Sequence, residues 1–235
     1  MNFKRLAVVA TLGSAAVSGA ALAEVSVNVG VTSQYLFRGL AQSDGAAING
    51  GIDYAADSGF YAGTWASTIG FGGTPNLDGG GSTGAEVDVY AGFGGEAGGM
   101  AYDVGLIYYW YSEEDENDMP DPSYNTIEAY GSIGFGPVTV GAYFAPDTYF
   151  GVDESAYGVN VAFSAPIGEK LSFDAFVGHN GGEGNEAFAN GDSYLDYSIG
   201  VSAASESGMS FGLALVATDI DDDDIKPIIS GGYSF

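Results

Sequence analysis

Residues 85–111 alternate apolar and polar side chains in two runs that a short glycine-rich turn joins. The first run, residues 85–93, places Val87 and Val89 on one face and Glu86, Asp88 and Tyr90 on the other. The second run, residues 102–111, places Leu106 and Tyr108 opposite Asp103 and Tyr109. A period of two closed by a glycine turn predicts a β-hairpin. A long acidic segment, residues 112–123, follows, and a short turn at one end with a long loop at the other is typical of an outer-membrane barrel.

The same rhythm continues along the chain. Twelve strands are predicted, at residues 25–38, 48–55, 60–69, 85–93, 102–111, 127–135, 138–144, 157–164, 171–178, 195–201, 209–217 and 228–235. Short connections near 57–59, 96–99, 134–137, 166–170 and 205–208 alternate with longer ones near 70–84, 112–123, 145–155, 179–193 and 218–226; the first, near 40–47, is modest. We therefore expect an all-β fold, an antiparallel transmembrane β-barrel of about 12 strands with short periplasmic turns and longer acidic extracellular loops.

The first 23 residues have the pattern of a secretory signal peptide. Lys4 and Arg5 precede an apolar run, and Ala21-Leu22-Ala23 fits a cleavage site before Glu24. The alternative is a transmembrane anchor, which is disfavoured because the apolar run is shorter than the ~20 residues that a bilayer requires. Residues 24–235 are then expected to form a single barrel domain. Beyond the leader we expect no helical span, so strands would have to cross the bilayer.

Charge excludes one class of partner. The sequence has 31 acidic residues against 5 basic ones, two of which lie in the leader. So acidic a surface repels phosphate backbones, and nucleic acid is therefore excluded as a partner. The chain contains no cysteine, which rules out disulfides and thiolate metal sites.

Alternation alone does not say which face points outward, because a soluble sandwich or a lipocalin-like barrel has the same period with its apolar face inside. Three features favour an apolar exterior. The polar face carries almost no lysine, unlike a water-facing strand surface. Aromatic residues concentrate near strand ends, as in interfacial girdles. Ile229, Gly231, Tyr233 and Phe235 share one phase, and a terminal aromatic resembles the signal read by the barrel-assembly machinery. In the first strand this phase also puts Tyr35 and Phe37 outside and Arg38 inside.

Several blocks near the start of the barrel resemble a known family. Residues 31–39 read VTSQYLFRG, residues 42–45 QSDG, residues 51–54 GIDY and residues 59–65 GFYAGTW. These blocks are similar to the TorF-type family of exported porin-like proteins, and the resemblance continues more loosely to the C-terminal strand. It implies a Gram-negative outer-membrane β-barrel, whose detailed activity the family leaves poorly defined.

Inside such a barrel the polar phase forms an acidic lining. The candidate pore-lining residues are Arg38, Asp53, Glu86, Asp88, Tyr90, Asp103, Tyr109, Glu128, Tyr130, Asp174 and Asp196. An acidic lining favours cations. We therefore expect a porin that lets small cationic or neutral solutes diffuse passively. The alternative is a closed structural or adhesive barrel, filled by Tyr90, Tyr109, Tyr130, Tyr143 and Phe176.

Other chemistries have weaker support. His179 is the single histidine and is expected on the outer rim with no serine within two positions, so an outer-membrane hydrolase is a minor alternative and no catalytic residue is predicted. Asp219, Asp221 and Asp223 have the opening spacing of a calcium loop but lack its glycine and final glutamate. The glycine stretch 79–84 lacks the lysine of a P-loop. No cofactor or specific metal site is predicted. The expected partners are outer-membrane lipid, lipopolysaccharide and the assembly machinery that reads Phe235; the oligomeric state stays open.

Overall fold

The computed structural model describes residues 24–71, 82–112 and 123–235. The predicted leader, residues 79–81 of the glycine stretch and the acidic run at 113–116 lie outside the described residues.

Twelve long strands form one closed antiparallel barrel, as the sequence predicts. They are β1 (Glu24–Thr32), β4 (Ala47–Ala55), β5 (Phe60–Phe71), β6 (Ser82–Ala97), β7 (Met100–Tyr111), β8 (Thr126–Phe135), β9 (Val138–Ala145), β10 (Ala156–Ile167), β11 (Leu171–Gly181), β12 (Tyr194–Ala204), β13 (Met209–Thr218) and β14 (Lys226–Ser234). Two short strands, β2 (Leu36–Phe37) and β3 (Leu40–Ala41), pair with each other apart from the barrel. A single helical turn, α1 (Glu183–Glu186), follows β11.

Closure depends on β1, which is paired along both edges. Its register with β14 joins Asn28 to Ser234 and Thr32 to Ser230. Its register with β4 joins Glu24 to Ala55. Every long strand therefore has a neighbour on each side, which satisfies backbone groups that hydrocarbon could not.

Short turns and long connections fall at opposite ends, which confirms the predicted rhythm. Turns at 56–59, 98–99, 136–137, 168–170 and 205–208 lie at one end, which we call the turn end. Residues 33–46, 146–155, 182–193 and 219–225 lie at the other, the loop end. The N-terminal end of β1 and the C-terminal end of β14 both lie at the turn end, since the Phe235 amide donates to the Val27 carbonyl.

The apolar side chains point outward. Val89 is 55% exposed and Leu106 is 59% exposed, whereas the intervening Glu86, Asp88 and Tyr109 are buried. A soluble barrel would bury the first set and expose the second. The alternation is therefore inverted around the whole wall, as the sequence features favoured.

The first predicted strand is wrong in its second half. Residues 25–38 do not form one strand, because the chain leaves the wall after Thr32. Tyr35 and Phe37 were expected on the outer face, but both are buried inside the barrel. The connection there is consequently residues 33–46 rather than a modest loop near 40–47. Apolar alternation cannot distinguish exposure to lipid from burial against an interior surface, and the error has that cause.

No helix within the described ranges has the length and apolar character needed to cross a membrane.

The outer apolar surface predicts that a charge introduced on the lipid-facing side destabilises the barrel, whereas a charge introduced in an exposed turn does not. Leu106→Arg places a charge on the outer face, which costs about 2–4 kcal/mol at the bilayer midplane. We expect the variant to lose most of its folded, heat-modifiable form in lipid vesicles. Ser207→Arg, in an exposed turn, serves as the matched control and should fold as the unmodified protein does. Equal folding of the two variants would contradict a lipid-facing belt.

Candidate functional site

A hairpin enters the lumen from residues 33–46. Strands β2 and β3 pair Phe37 with Leu40, so Arg38 and Gly39 form a two-residue turn. Both have positive φ, 50° and 80°, as a type I′ turn requires. A Cβ on Gly39 would overlap the Thr218 methyl group of β13. The tip of the hairpin therefore touches the wall at β13, two strands from β1 in the barrel order.

Hydrogen bonds fix the root of the hairpin. The Tyr35 hydroxyl donates to Glu86 Oε1 of β6 at 2.8 Å. The Tyr35 amide donates to Ser43 Oγ at 2.8 Å, and the Gly70 amide donates to the Gln42 carbonyl at 2.9 Å. The hairpin is thus bonded to itself and to the wall on β5 and β6.

Aromatic rings pack around the hairpin. Tyr35 lies edge-on to Trp65, with ring centroids 5.4 Å apart. Phe37 contacts Tyr109 at 5.7 Å and Phe150 at 5.4 Å. Phe150 belongs to the connection 146–155, so this loop also reaches the interior. The loop-end half of the lumen is therefore filled by aromatic side chains.

The Arg38 guanidinium lies near the opposite wall. Nη2 donates to Glu128 Oε2 at 2.7 Å, and Nη1 donates to the Tyr149 hydroxyl at 2.7 Å. The guanidinium carbon lies 3.2 Å from the centroid of the Tyr143 ring. An ion pair and a ring face together compensate a buried cation.

A polar network lies beside this cation. Tyr143 donates to Asn180 Oδ1, and Asn180 Nδ2 donates to Asp196 Oδ1, both at 2.8 Å. Asn185 of α1 donates to the Tyr143 hydroxyl at 3.0 Å and to the Gly181 carbonyl at 2.8 Å. These bonds attach the connection 182–193 to the interior. Three connections therefore pack together inside the loop end.

The turn-end half is more open and is lined by hydroxyls and carboxylates. Tyr61 donates to Asp103 Oδ1 at 2.9 Å and lies 2.7 Å from the Tyr130 hydroxyl. Since the Tyr61 proton goes to Asp103, Tyr130 is the donor in the second bond. Tyr90 donates to Asp53. On the other wall, Ser202 donates to Asp174 Oδ2 at 2.8 Å.

Tyrosine rings on this half lie against glycines of neighbouring strands. Tyr90 lies over Gly63, and Tyr130 lies over Gly105, each pair being directly opposed in the sheet. A Cβ at either glycine would overlap ring atoms. Each ring therefore lies along the wall rather than across the lumen, which leaves space inside.

The predicted pore-lining residues fall into two groups, one in the loop-end half of the barrel and one in the turn-end half. Buried toward the loop end are Glu86, Asp88, Tyr109, Glu128 and Asp196, and the Arg38 side chain beside them is 11% exposed. Partly exposed toward the turn end are Asp53, Tyr90, Asp103, Tyr130 and Asp174. All of them project to the interior. Sequence reasoning missed Tyr35, Tyr149, Asn180 and Asn185. Asn180 lies in the polar phase of β11 and could have been found. Tyr149 and Asn185 lie in connections, where no alternation of apolar and polar residues marks them.

The acidic loop at 219–224 is engaged by protein donors. Asp219 Oδ1 accepts from the Leu195 amide at 2.7 Å, and Asp223 accepts from Lys226 and from the Thr218 hydroxyl. Partial burial works to raise the pKa of Asp223, but the hydrogen bonds from Lys226 and Thr218 outweigh it and hold that pKa below its usual value. Within the residues that the structure describes, no three His, Asp or Glu side chains are arranged to hold a metal ion.

His179 lies on the outer face of the barrel. Its ring stacks beside Tyr157, with centroids 6.4 Å apart. It follows the outward phase of Val177, whereas Asn180 points inward. The interior carboxylates and this histidine are consequently on opposite sides of the wall.

A family model described as "Bacterial protein of unknown function (Gcw_chp)" matches residues 16–228. The chain belongs to the Gcw_chp family. This assignment covers nearly the whole barrel. No curated protein matches the Gcw_chp chain.

Solved structures show what the Gcw_chp barrel is similar to. A KdgM porin superposes with a TM-score of 0.56 at 10% identity, covering 89% of this chain and 99% of that one. The COG4313 outer membrane channel from Pseudomonas putida F1 superposes with a TM-score of 0.55 at 9% identity, covering 95% and 100%. LpxR from Salmonella typhimurium reaches a TM-score of 0.48 at 13% identity, covering 89% and 99%, a likeness too low to argue from. At such identities the shared feature is the barrel fold.

The buried ion pair predicts a large cost when one partner is removed. Arg38→Gln in the Gcw_chp protein leaves Glu128 buried beside a neutral side chain, which should cost about 3–5 kcal/mol. Lys226→Gln is the matched control, because its pair with Asp223 is partly exposed and such pairs contribute only about 0–1 kcal/mol. Urea unfolding in detergent micelles measures both. A cost for Arg38→Gln no larger than that of the control would contradict a closely packed hairpin tip.

Proposed function

We propose that the Gcw_chp protein is an outer-membrane porin through which small cationic or neutral solutes diffuse passively. The apolar outer surface supports placement in a bilayer, since exposed side chains such as Val89 and Leu106 would otherwise contact water. The likeness to two outer-membrane channels supports the same placement through the fold.

The charge of the interior carries the proposal. Inward-facing carboxylates include Asp53, Asp103 and Asp174 at the turn end, whereas Arg38 is the interior cation. Of the other basic residues described, Lys170 lies in a turn and Lys226 pairs with Asp223. Arg38 is itself neutralised by Glu128. The lumen therefore presents a negative potential to an entering solute, which attracts cations and repels anions.

Hydroxyl groups at the turn end suit uncharged solutes as well. Tyr61, Tyr90 and Tyr130 lie along the wall with their hydroxyls among carboxylates, where a polar solute could exchange hydrogen bonds. The rings leave the axis free because they lie over glycines. Selectivity would then depend on charge and size more than on a dedicated binding pocket.

The hairpin is the proposed constriction of the pathway. It spans the lumen from β1 to the Glu128 side and touches Thr218 with Gly39. A solute would have to pass beside it or displace it. This arrangement favours small conductance over the wide pore of a general porin.

A closed structural or adhesive barrel is the second candidate. The observation that favours it is the burial of Phe37, Tyr109 and Tyr149 around the hairpin, which fills the loop-end half. The interior carboxylates would then form part of a hydrogen-bonded core, and solutes would not pass.

Conductance in planar bilayers distinguishes the two candidates. We expect small steps with a cation-biased reversal potential under a salt gradient. Replacing Asp103 and Asp174 together by asparagine should reduce that bias, because both carboxylates face the open half of the lumen. Asp57→Asn, in an external turn, is the matched control and should leave the bias unchanged.

Gly39→Ala tests the constriction in the same assay. The added methyl group would overlap Thr218, and an alanine there would have to keep the positive φ of Gly39. We therefore expect a displaced hairpin and a larger conductance step. Silence of the unmodified protein with conduction by Gly39→Ala would indicate a plugged barrel. Silence of both would contradict the porin proposal.

A further inference from the structure

Two carboxylates of β6 are buried behind the hairpin without adequate partners. Glu86 and Asp88 are both 0% exposed. Asp88 Oδ1, Asp88 Oδ2 and Glu86 Oε2 have no hydrogen-bond partner within the described part of the chain. The remaining oxygen, Glu86 Oε1, accepts from Tyr35. Buried carboxylates normally have charged or hydrogen-bonding partners, so these three oxygens require an explanation.

Both side chains point into the same small region. Two residues apart on one strand, they share a face and lie on the order of 7 Å apart at their Cα atoms. In the sheet register Asp88 is opposed by Trp65 and Tyr109. Glu86 is opposed by Ser67 and by Tyr111, whose side chain also hydrogen-bonds to the Glu86 carboxylate. Tyr35 and the hairpin cover them from the lumen. The result is an enclosed pair of acids whose opposed neighbours in the sheet are uncharged, with Glu128 as a further negative charge near Asp88.

Among the described residues, no basic side chain pairs with Glu86 or Asp88. Arg38 is bonded to Glu128, and the two lysines of the described chain are in a turn and at the Asp223 pair. Ionised, Glu86 and Asp88 would carry two negative charges, which matches one divalent cation. Calcium accepts 6–8 oxygen ligands, and magnesium is often held by one or two carboxylates with the rest from water or neutral oxygens.

We propose that Glu86 and Asp88 bind one divalent cation, which neutralises them and holds the hairpin against β5–β7. The three unpartnered carboxylate oxygens are the protein's ionic ligands, and neighbouring neutral oxygens or water complete the shell. Tyr35 links the site to the hairpin through its bond to Glu86. This site does not depend on solute transport, because a closed barrel would need the same compensation.

Terbium luminescence tests the site directly. Tb³⁺ substitutes for Ca²⁺, and excitation of Trp65 beside Asp88 should sensitise its emission. For the full chain folded in detergent micelles, we expect saturable emission with one Tb³⁺ per chain and displacement by Ca²⁺. With excitation at the long-wavelength edge of the indole band, where tyrosine does not absorb, Trp65→Phe should abolish the sensitised emission. Trp110→Phe, on the outer face, should retain it.

Carboxylate variants connect the signal to the two ligands. Asp88→Asn should weaken Tb³⁺ binding at least tenfold, and Glu86→Gln gives an independent check if Asp88→Asn folds poorly. Asp103→Asn is the matched control, since Asp103 also faces the lumen but accepts from Tyr61. The control should bind Tb³⁺ as the unmodified protein does. Binding that survives Asp88→Asn and Glu86→Gln but disappears with Asp219→Asn would place the cation in the loops and overturn the proposal.

Thermal unfolding distinguishes a bound cation from a bound proton. A ligand that binds only the folded state raises the midpoint. We expect Ca²⁺ to raise the melting midpoint of the unmodified protein by several degrees over chelator, and to leave that of Asp88→Asn unchanged. Two results would show that a proton neutralises the pair: no Ca²⁺ effect on the unmodified protein, and a higher midpoint for Asp88→Asn in chelator. Both would overturn the proposal.

Discussion

The structure depends on pairing both edges of every barrel strand within one closed sheet. Once β1 pairs with both β4 and β14, the sheet has no free edge, and one face of each strand must enclose the interior. The sequence assigns its apolar residues to the other face. Closure and inverted polarity together produce a barrel whose exterior suits hydrocarbon and whose interior holds most of its strand-borne acids.

The interior holds so many carboxylates that it cannot be packed unless other groups neutralise them or donate hydrogen bonds to them. The hairpin brings Arg38 to Glu128, while tyrosine hydroxyls and amides serve Asp53, Asp103 and Asp196. The chain accepts positive φ at Arg38, which places at this point the one interior cation of the described residues. Such strain in a non-glycine residue persists only where surrounding contacts determine it, and the ion pair and the Tyr143 ring provide those contacts.

Period-two alternation predicted the twelve strands and their inward residues, because a closed sheet imposes that period along its whole length. It failed at Tyr35 and Phe37, which continue the phase of Val29 and Val31 although the chain has left the wall. A packed hairpin and a lipid-facing strand both require apolar side chains, so the pattern is the same for both. The contacts of Tyr149 and Asn185 were also beyond prediction, since each depends on how a connection folds back. The Arg38-Gly39 pair between apolar residues was the available signal for the turn.

The two tryptophans test the polarity of the wall most directly. Trp65 faces inward beside Tyr35, whereas Trp110 is 42% exposed on the outer face. In vesicles of brominated lipid, bromine quenches indole fluorescence on contact. The protein carrying Trp110 alone (Trp65→Phe) should be strongly quenched, and the protein carrying Trp65 alone (Trp110→Phe) should not. Quenching of Trp65 with protection of Trp110 would contradict the inverted barrel.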